Sequence, residues 1–113
     1  MNILQELTTL ITGLGLAVET GLFSGEAPTE YVVITPLTDS FELFGDNRPE
    51  YETQEARLSL YSKGNYITIK NSVLRALLNA GFTVTDHQYI EHEDDTGYHH
   101  YAIDAAKPYA WEE

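Results

Sequence analysis

The chain of 113 residues contains no cysteine, so it can form neither a disulfide nor a thiolate nucleophile. Basic residues are also scarce: six lysines and arginines stand against eighteen aspartates and glutamates, a net charge of −12. A charge of that size repels phosphates and anionic lipids, which argues against nucleic-acid and membrane binding. No apolar run approaches the roughly 20 residues that span a bilayer. The N-terminus lacks a basic segment followed by an apolar one, so we expect no secretory signal.

Catalytic motifs are absent as well. No serine lies in a Gly-x-Ser-x-Gly turn. The segment Gly13-Leu14-Gly15 resembles part of a dinucleotide-binding loop, but it ends a predicted helix instead of opening one after a strand. We therefore expect neither an enzymatic activity nor a cofactor.

A metal site is the main chemical possibility to weigh. Histidines and acids gather near the C-terminus: His87, His92, His99, His100, Glu91, Glu93, Asp94 and Asp95. Imidazoles and carboxylates bind zinc or calcium, but the order here lacks the ligand spacing of either kind of site. Adjacent residues such as His99 and His100 also point to opposite faces of a strand. A solvated hairpin tip is the favoured interpretation, and no metal ligand is predicted.

What the chain does contain is a strong folding pattern, with 42% hydrophobic and 12% aromatic residues, enough for a single domain over 1–113. Apolar residues at helical spacing predict helices over residues 2 to about 13, opened by Asn2, and about 65–79, closed by Gly81. Alternating patterns predict strands over 31–35, 53–61, 82–91 and 98–105, with a weaker one at 16–18. At Pro36 the first of these should end or lie at an edge of the sheet, because proline cannot donate to a ladder. This order predicts an α+β fold: a mostly antiparallel sheet with two helices on one face.

Two segments are not explained by this fold. Residues 37–52 form either a long loop or a hairpin arm turning at Gly45-Asp46-Asn47, and they contain the large apolar side chains of Phe41, Leu43 and Phe44. Residues 108–113 form a short tail in which Trp111 either docks or frays. Because a turn-rich segment seldom buries large apolar side chains, we expect those of the arm to contact a partner.

Tyrosine is frequent, with eight copies in the chain. Its flat ring and polar hydroxyl suit protein interfaces, but it also packs well within sheets. Both interpretations stay open for the C-terminal strands. The candidate interaction residues are Phe41, Leu43, Phe44, Arg48, Tyr89, Tyr98 and Tyr101.

The layout resembles a known family. The shared features are the opening helix Ile3 to Ile11, the strand from Pro28 to Pro36, a loop with Asp39 and Gly45-Asp46, the strand Glu55 to Ser62, the helix ending at Leu74 to Gly81, and the hairpin from Phe82 to Ile103. In these respects the chain is similar to the tail-completion or tail-terminator proteins of long-tailed bacteriophages, which join the tail tube to the head–tail connector.

The resemblance implies a structural virion protein without a cofactor. Such subunits form a ring, typically a hexamer, at the head-proximal end of the tail tube, so the implied partners are further copies of the chain, the tail-tube protein and the connector. The implied location is the tail or neck of the virion, reached after assembly in the host cytoplasm. DNA would pass through the ring, and acidic walls would repel it. Two alternatives from the residues alone are an acidic mimic of DNA and a small metal- or ligand-binding domain.

Overall fold

The structure is a computed structural model that describes residues 2–20, 28–45 and 48–111. Within these ranges the side chains of Thr20, of residues 42–45 and of Arg48 are outside the description. The elements in chain order are α1 (Ile3–Gly13), β1 (Ala17–Thr20), β2 (Glu30–Gly45), β3 (Arg48–Ser62), α2 (Tyr66–Asn79), β4 (Thr83–His92) and β5 (His99–Ala110).

The five strands form one sheet in the order β1-β2-β3-β5-β4. β1 pairs with β2 in parallel, and the other three ladders are antiparallel. Both helices pack on the same face of the sheet. The predicted α+β fold is therefore confirmed. None of the helices in the described part of the chain is long and apolar enough to cross a membrane.

Each helix begins and ends as its sequence predicts. The Asn2 carboxamide oxygen accepts a hydrogen bond from the backbone N–H of Gln5 at 2.9 Å, and the Gln5 side chain accepts one from the N–H of Asn2 at 3.1 Å. This reciprocal pair satisfies two donors that the first turn leaves free. Asn65 caps α2 in the same way, by accepting from the N–H of Ile67 at 3.1 Å. After α2, Gly81 adopts a φ of +87°, the left-handed conformation that commonly ends a helix.

The core lies between the helices and the face of the sheet that they cover. The helices contribute Ile3, Leu7, Ile11, Ile69, Val73 and Leu77, and the strands contribute Val32, Ile34, Ala56, Leu58, Leu60, Tyr101, Ile103 and Ala105. Burying a Leu, Ile or Val side chain contributes about 1.5–3 kcal/mol, so this layer is the main source of stability. Among the described residues no helix lies on the opposite face of the sheet, and we call it the open face.

Two strands continue past a proline. β2 runs past Pro36 to Gly45, and β5, predicted to end at residue 105, runs past Pro108 to Ala110, so that predicted end of β5 is wrong. Pro36 lies beyond Ile34, the last residue of β2 that pairs with the described part of β1, and beside a shift in the β2–β3 register. Pro108 likewise lies beyond Ala106, the end of the pairing with β4. Among the described residues each proline thus has a paired strand on one side only, which is the edge position predicted as the alternative for Pro36.

The segment 37–52 is a hairpin arm rather than an irregular loop. β2 and β3 pair along their whole length, from Glu30 opposite Ser62 to Gly45 opposite Arg48, with one register shift between Pro36 and Thr38. The predicted turn residues Asp46 and Asn47 are outside the described residues, as are Leu22 and Phe23 of the loop before β2. The molecule is elongated, with principal extents of 54 × 26 × 24 Å.

Candidate interaction surfaces

The arm exposes large apolar side chains. Leu37, Phe41, Tyr51 and Trp111 are between 39 and 46% exposed. Tyr51 lies on the opposite face of the arm from Phe41, because it adjoins Glu52, the partner of Phe41. We use the name arm patch for Phe41 and Trp111, which share one face. Phe41 on β2 and Trp111 after β5 meet edge to face across β3, with ring centroids 4.7 Å apart. The backbone brings them together because Phe41 pairs with Glu52, and the N–H of Trp111 donates to the carbonyl of Glu50 at 2.9 Å. The arm patch is thus a formed apolar surface that still faces solvent.

Among the residues predicted for the arm, the structure places Phe41 in this patch. Leu43 and Phe44 lie in β2 and Arg48 begins β3, but the side chains of these three are outside the described residues. Trp111 docks, as one of the two predicted outcomes for the tail. Trp111 is not among the predicted interaction residues, because the sequence pattern predicts a tail that begins at Pro108. The alternation of Lys107, Tyr109 and Trp111 along an extended β5 is the signal that identifies it.

The three C-terminal tyrosines differ in exposure. Tyr98 is 6% exposed, and its hydroxyl donates to the carbonyl of Pro28. Tyr101 is 7% exposed, and its hydroxyl lies 2.8 Å from Nδ1 of His87. Packing inside the subunit, one of the two open interpretations, describes both residues. Tyr89 is 41% exposed and is the one of the three that presents a substantial surface.

The histidines are divided between the two faces of the sheet. His99 contacts Tyr66 at the start of α2, with ring centroids 5.2 Å apart, whereas His100 stacks on Tyr61 on the open face at 4.5 Å. His92 and His99 face each other across the hairpin at 4.7 Å. Across residues 2–20, 28–45 and 48–111, no group of three or more His, Cys, Asp or Glu side chains is arranged to hold a metal ion.

An aromatic row and an ion pair lie on the open face. Tyr31 and Tyr61 stack with centroids 4.8 Å apart, and His100 continues the row. Burial lowers the pKa of His100, outweighing the opposing effect of Glu93 and Glu91. Its Nε2 is buried and without a hydrogen-bond partner among the described residues, so the neutral ring is the form that fits here.

Next to that row, Arg57 binds Asp104. Two parallel hydrogen bonds join the guanidinium and the carboxylate, and they raise the pKa of Arg57 further above its usual value. Asp104 is 8% exposed, so the arginine neutralises a carboxylate that lies mostly out of water. A bidentate pair of this kind is well oriented and rigid. This part of the open face is therefore preorganised.

Comparison with models of known protein families and with curated protein sequences gives no match to this chain.

Proposed function

We propose that the protein is a structural subunit that assembles into a ring at the head-proximal end of a bacteriophage tail tube and joins the tube to the head–tail connector. The observation that carries the proposal is the hairpin arm. It projects from a well-packed body and exposes Leu37, Phe41 and Tyr51, and Trp111 of the tail packs on Phe41. Exposed apolar side chains of this kind are typical of a surface covered by a partner.

The distribution of charge also supports this role. A chain with a net charge of −12 repels DNA, and a ring through which a genome passes benefits from walls that do not retain it. The proposal includes no reaction and no cofactor. Geometry alone would let each subunit use one patch for its neighbour on one side and a different patch for its neighbour on the other side, so that a closed rotation makes a ring.

The DNA-mimic alternative stays a prediction. It rests on net charge, but a mimic needs carboxylates spaced like phosphates on one surface. Here Glu6 lies on the helix-covered side of the sheet, where Lys107 neutralises it, and Glu91 lies on the open face. Competition between duplex DNA and a bound protein partner would favour the mimic over the ring.

The direct test is electron microscopy of the purified protein mixed with phage tail tubes that lack a terminal ring. We expect rings at one end of each tube and an arrest of tube growth. Phe41→Ala should reduce end occupancy because it removes an anchor of the arm patch. The matched control is Ile90→Ala, since Ile90 is 41% exposed on the edge strand β4, away from the arm. Unoccupied tube ends with the wild-type protein would contradict the proposal.

A further inference from the structure

The acids of this chain are unevenly placed. Residues 56–85 contain four lysines and arginines and no acid, whereas the rest of the chain holds all eighteen acids and two bases. The arm, residues 37–52, has five acids and one base. Two copies of a protein with a net charge of −12 repel each other unless their contact brings opposite charges together. The acid-free segment is the part of the sequence able to provide such a contact.

Most of the basic side chains in that segment lie on or beside α2. Arg57 is already paired with Asp104. Lys63 and Lys70 lie over the rings of Tyr98 and Tyr101, at 4.8 and 5.5 Å from the centroids. Within the described ranges, no carboxylate forms a salt bridge with Lys63, Lys70 or Arg75. These cations are therefore available to acids from outside the subunit.

The outward side of α2 carries a continuous stripe. Ile67, Asn71, Arg75 and Leu78 follow one another at helical spacing and are all exposed; we call them the α2 stripe. Ile67 is 48% and Leu78 61% exposed, so an apolar side chain lies towards each end with a cation between them. Beside Arg75, a shallow hollow of about 230 Å³ is lined by Leu14, Ser72, Ala76 and Asn79. The stripe thus combines apolar area, positive charge and a concave site.

The arm patch and the α2 stripe lie on different parts of the subunit. β3 begins at the arm, runs through the body and ends at Ser62, and α2 starts four residues later, so the N-terminal end of α2 is far from the arm tip. A contact between the arm of one copy and α2 of another is therefore head to tail. Repetition of such a contact closes into a ring when the rotation per copy is right.

We propose that the acidic arm of one copy docks on the α2 stripe of the next copy. This inference rests on the proposed ring function and adds the surface that receives the arm. Phe41 and Trp111 pack against Ile67 and Leu78, while Asp39, on the same face of β2 as Phe41, lies near Arg75. Apolar burial provides the affinity, and the charges select the arm of another copy over any acidic surface of the body.

A charge-matched pair of variants tests the contact. Arg75→Gln and Gln88→Glu each make the net charge more negative by one, but Gln88 lies opposite Ala102 on the open face of β4, whereas α2 packs on the other face of the sheet. Self-association is measured by sedimentation velocity and native mass spectrometry at protein concentrations up to about 1 mM. We expect Arg75→Gln to weaken association about two- to five-fold, the usual range for one exposed charge pair. Gln88→Glu should change it by less than two-fold. Ile67→Ser is a second stripe variant with the same expected direction.

A mixing experiment tests the head-to-tail arrangement. Phe41→Ala combined with Asp39→Lys impairs the arm and leaves α2 intact, whereas Arg75→Glu impairs α2 and leaves the arm intact. Each variant alone should stay monomeric, and their mixture should give one-to-one dimers without rings, because only one intact contact can form per pair.

Three results would overturn the inference: equal association of Arg75→Gln and Gln88→Glu, no dimers in the mixture, or a wild-type chain that is monomeric at every concentration. Binding of duplex DNA that is lost in Arg75→Gln would also overturn it, by assigning the α2 stripe to nucleic acid. None of these results concerns rings on tube ends, so the proposed function is judged separately by electron microscopy.

Discussion

Arg57 and Asp104 lie opposite each other on β3 and β5, and the guanidinium meets the carboxylate through two hydrogen bonds of 2.7 and 3.0 Å. The pair joins the two central antiparallel strands on the side of the sheet that no helix covers. Its carboxylate is largely withdrawn from water, while the arginine side chain is 39% exposed. Loss of the pair therefore costs more free energy at Asp104 than at Arg57, because the unpaired carboxylate would be poorly solvated.

We predict that Arg57→Ala destabilises the protein by about 1–2 kcal/mol, because it leaves the Asp104 carboxylate unpaired in a poorly solvated position. The partial exposure of Arg57 keeps the effect near the lower end of that range. Urea unfolding measures it. Arg75→Ala is the matched control, since this exposed arginine has no carboxylate partner among the described residues, and we expect a change below about 0.5 kcal/mol. Equal losses in the two variants would contradict the prediction.

A second prediction concerns pH and His100. Burial lowers the pKa of its imidazole in the folded protein, so the unfolded chain binds the proton more readily. Stability should therefore decrease as the pH falls below about 6.5, the ordinary pKa of histidine. His100→Phe keeps a ring to stack on Tyr61 but cannot take up a proton, and we expect a shallower dependence of unfolding free energy on pH. Urea unfolding between about pH 5 and pH 7.5 gives both slopes. Identical slopes for variant and wild type would show that His100 is not responsible.

Two glycines offer a contrast in backbone conformation. Gly81 has a φ of +87° after α2, whereas Gly64 precedes α2 without a positive φ, and an added methyl group meets no atom within 4 Å at either position. Gly81→Ala should destabilise by about 1–2 kcal/mol, because an L residue is strained in the left-handed region. Gly64→Ala should be neutral or slightly stabilising, since it reduces the freedom of the unfolded chain. Thermal unfolding of the two variants compares them directly, and a Gly81→Ala protein as stable as wild type would refute the assignment of strain.

A fourth prediction uses the single tryptophan as a probe of the arm. Trp111 is 39% exposed and contacts Phe41, so it reports on whether the arm patch is covered. On assembly we expect its fluorescence maximum to move to shorter wavelength and its quenching by iodide to fall. At the same protein concentration, the fluorescence maximum of Phe41→Ala should stay at a longer wavelength than that of the assembled wild type. A spectrum that is unchanged while particles form would exclude the arm patch from the interface.

The helices could be predicted because two signals agree in each of them. Ile3, Leu7 and Ile11 recur at helical spacing behind a capping Asn2, and Ile69, Val73 and Leu77 do so ahead of Gly81. The start of α2 also shows that periodicity outweighs local propensity: Tyr66-Ile67-Thr68-Ile69 favours a strand by composition, yet it is helical because Ile69 must join the core.

The local sequence does not show that β2 continues past Pro36 and β5 past Pro108. Proline is excluded only where both sides of a strand are paired. Which strands lie beside β2 and β5, and where they stop, is a property of the whole sheet. The same limit applies to the surfaces. Nothing in the local sequence distinguishes buried Tyr101 from exposed Tyr89, since both belong to strands rich in aromatic residues and both contact Tyr66 of α2. The order of the strands separates them: Tyr101 lies on β5, between β3 and β4, whereas Tyr89 lies on β4 at the edge.

The third strand connects the arm to the core without a break. Its first residues pair with the end of β2 at the arm tip, its later residues include the buried Leu58 and Leu60, and through much of its length it is hydrogen-bonded on both sides. A tensile load applied at the tip along this strand acts in shear, so that many ladder bonds resist at once instead of parting one after another. A pulling force on the arm is accordingly transmitted along β3 to the centre of the fold.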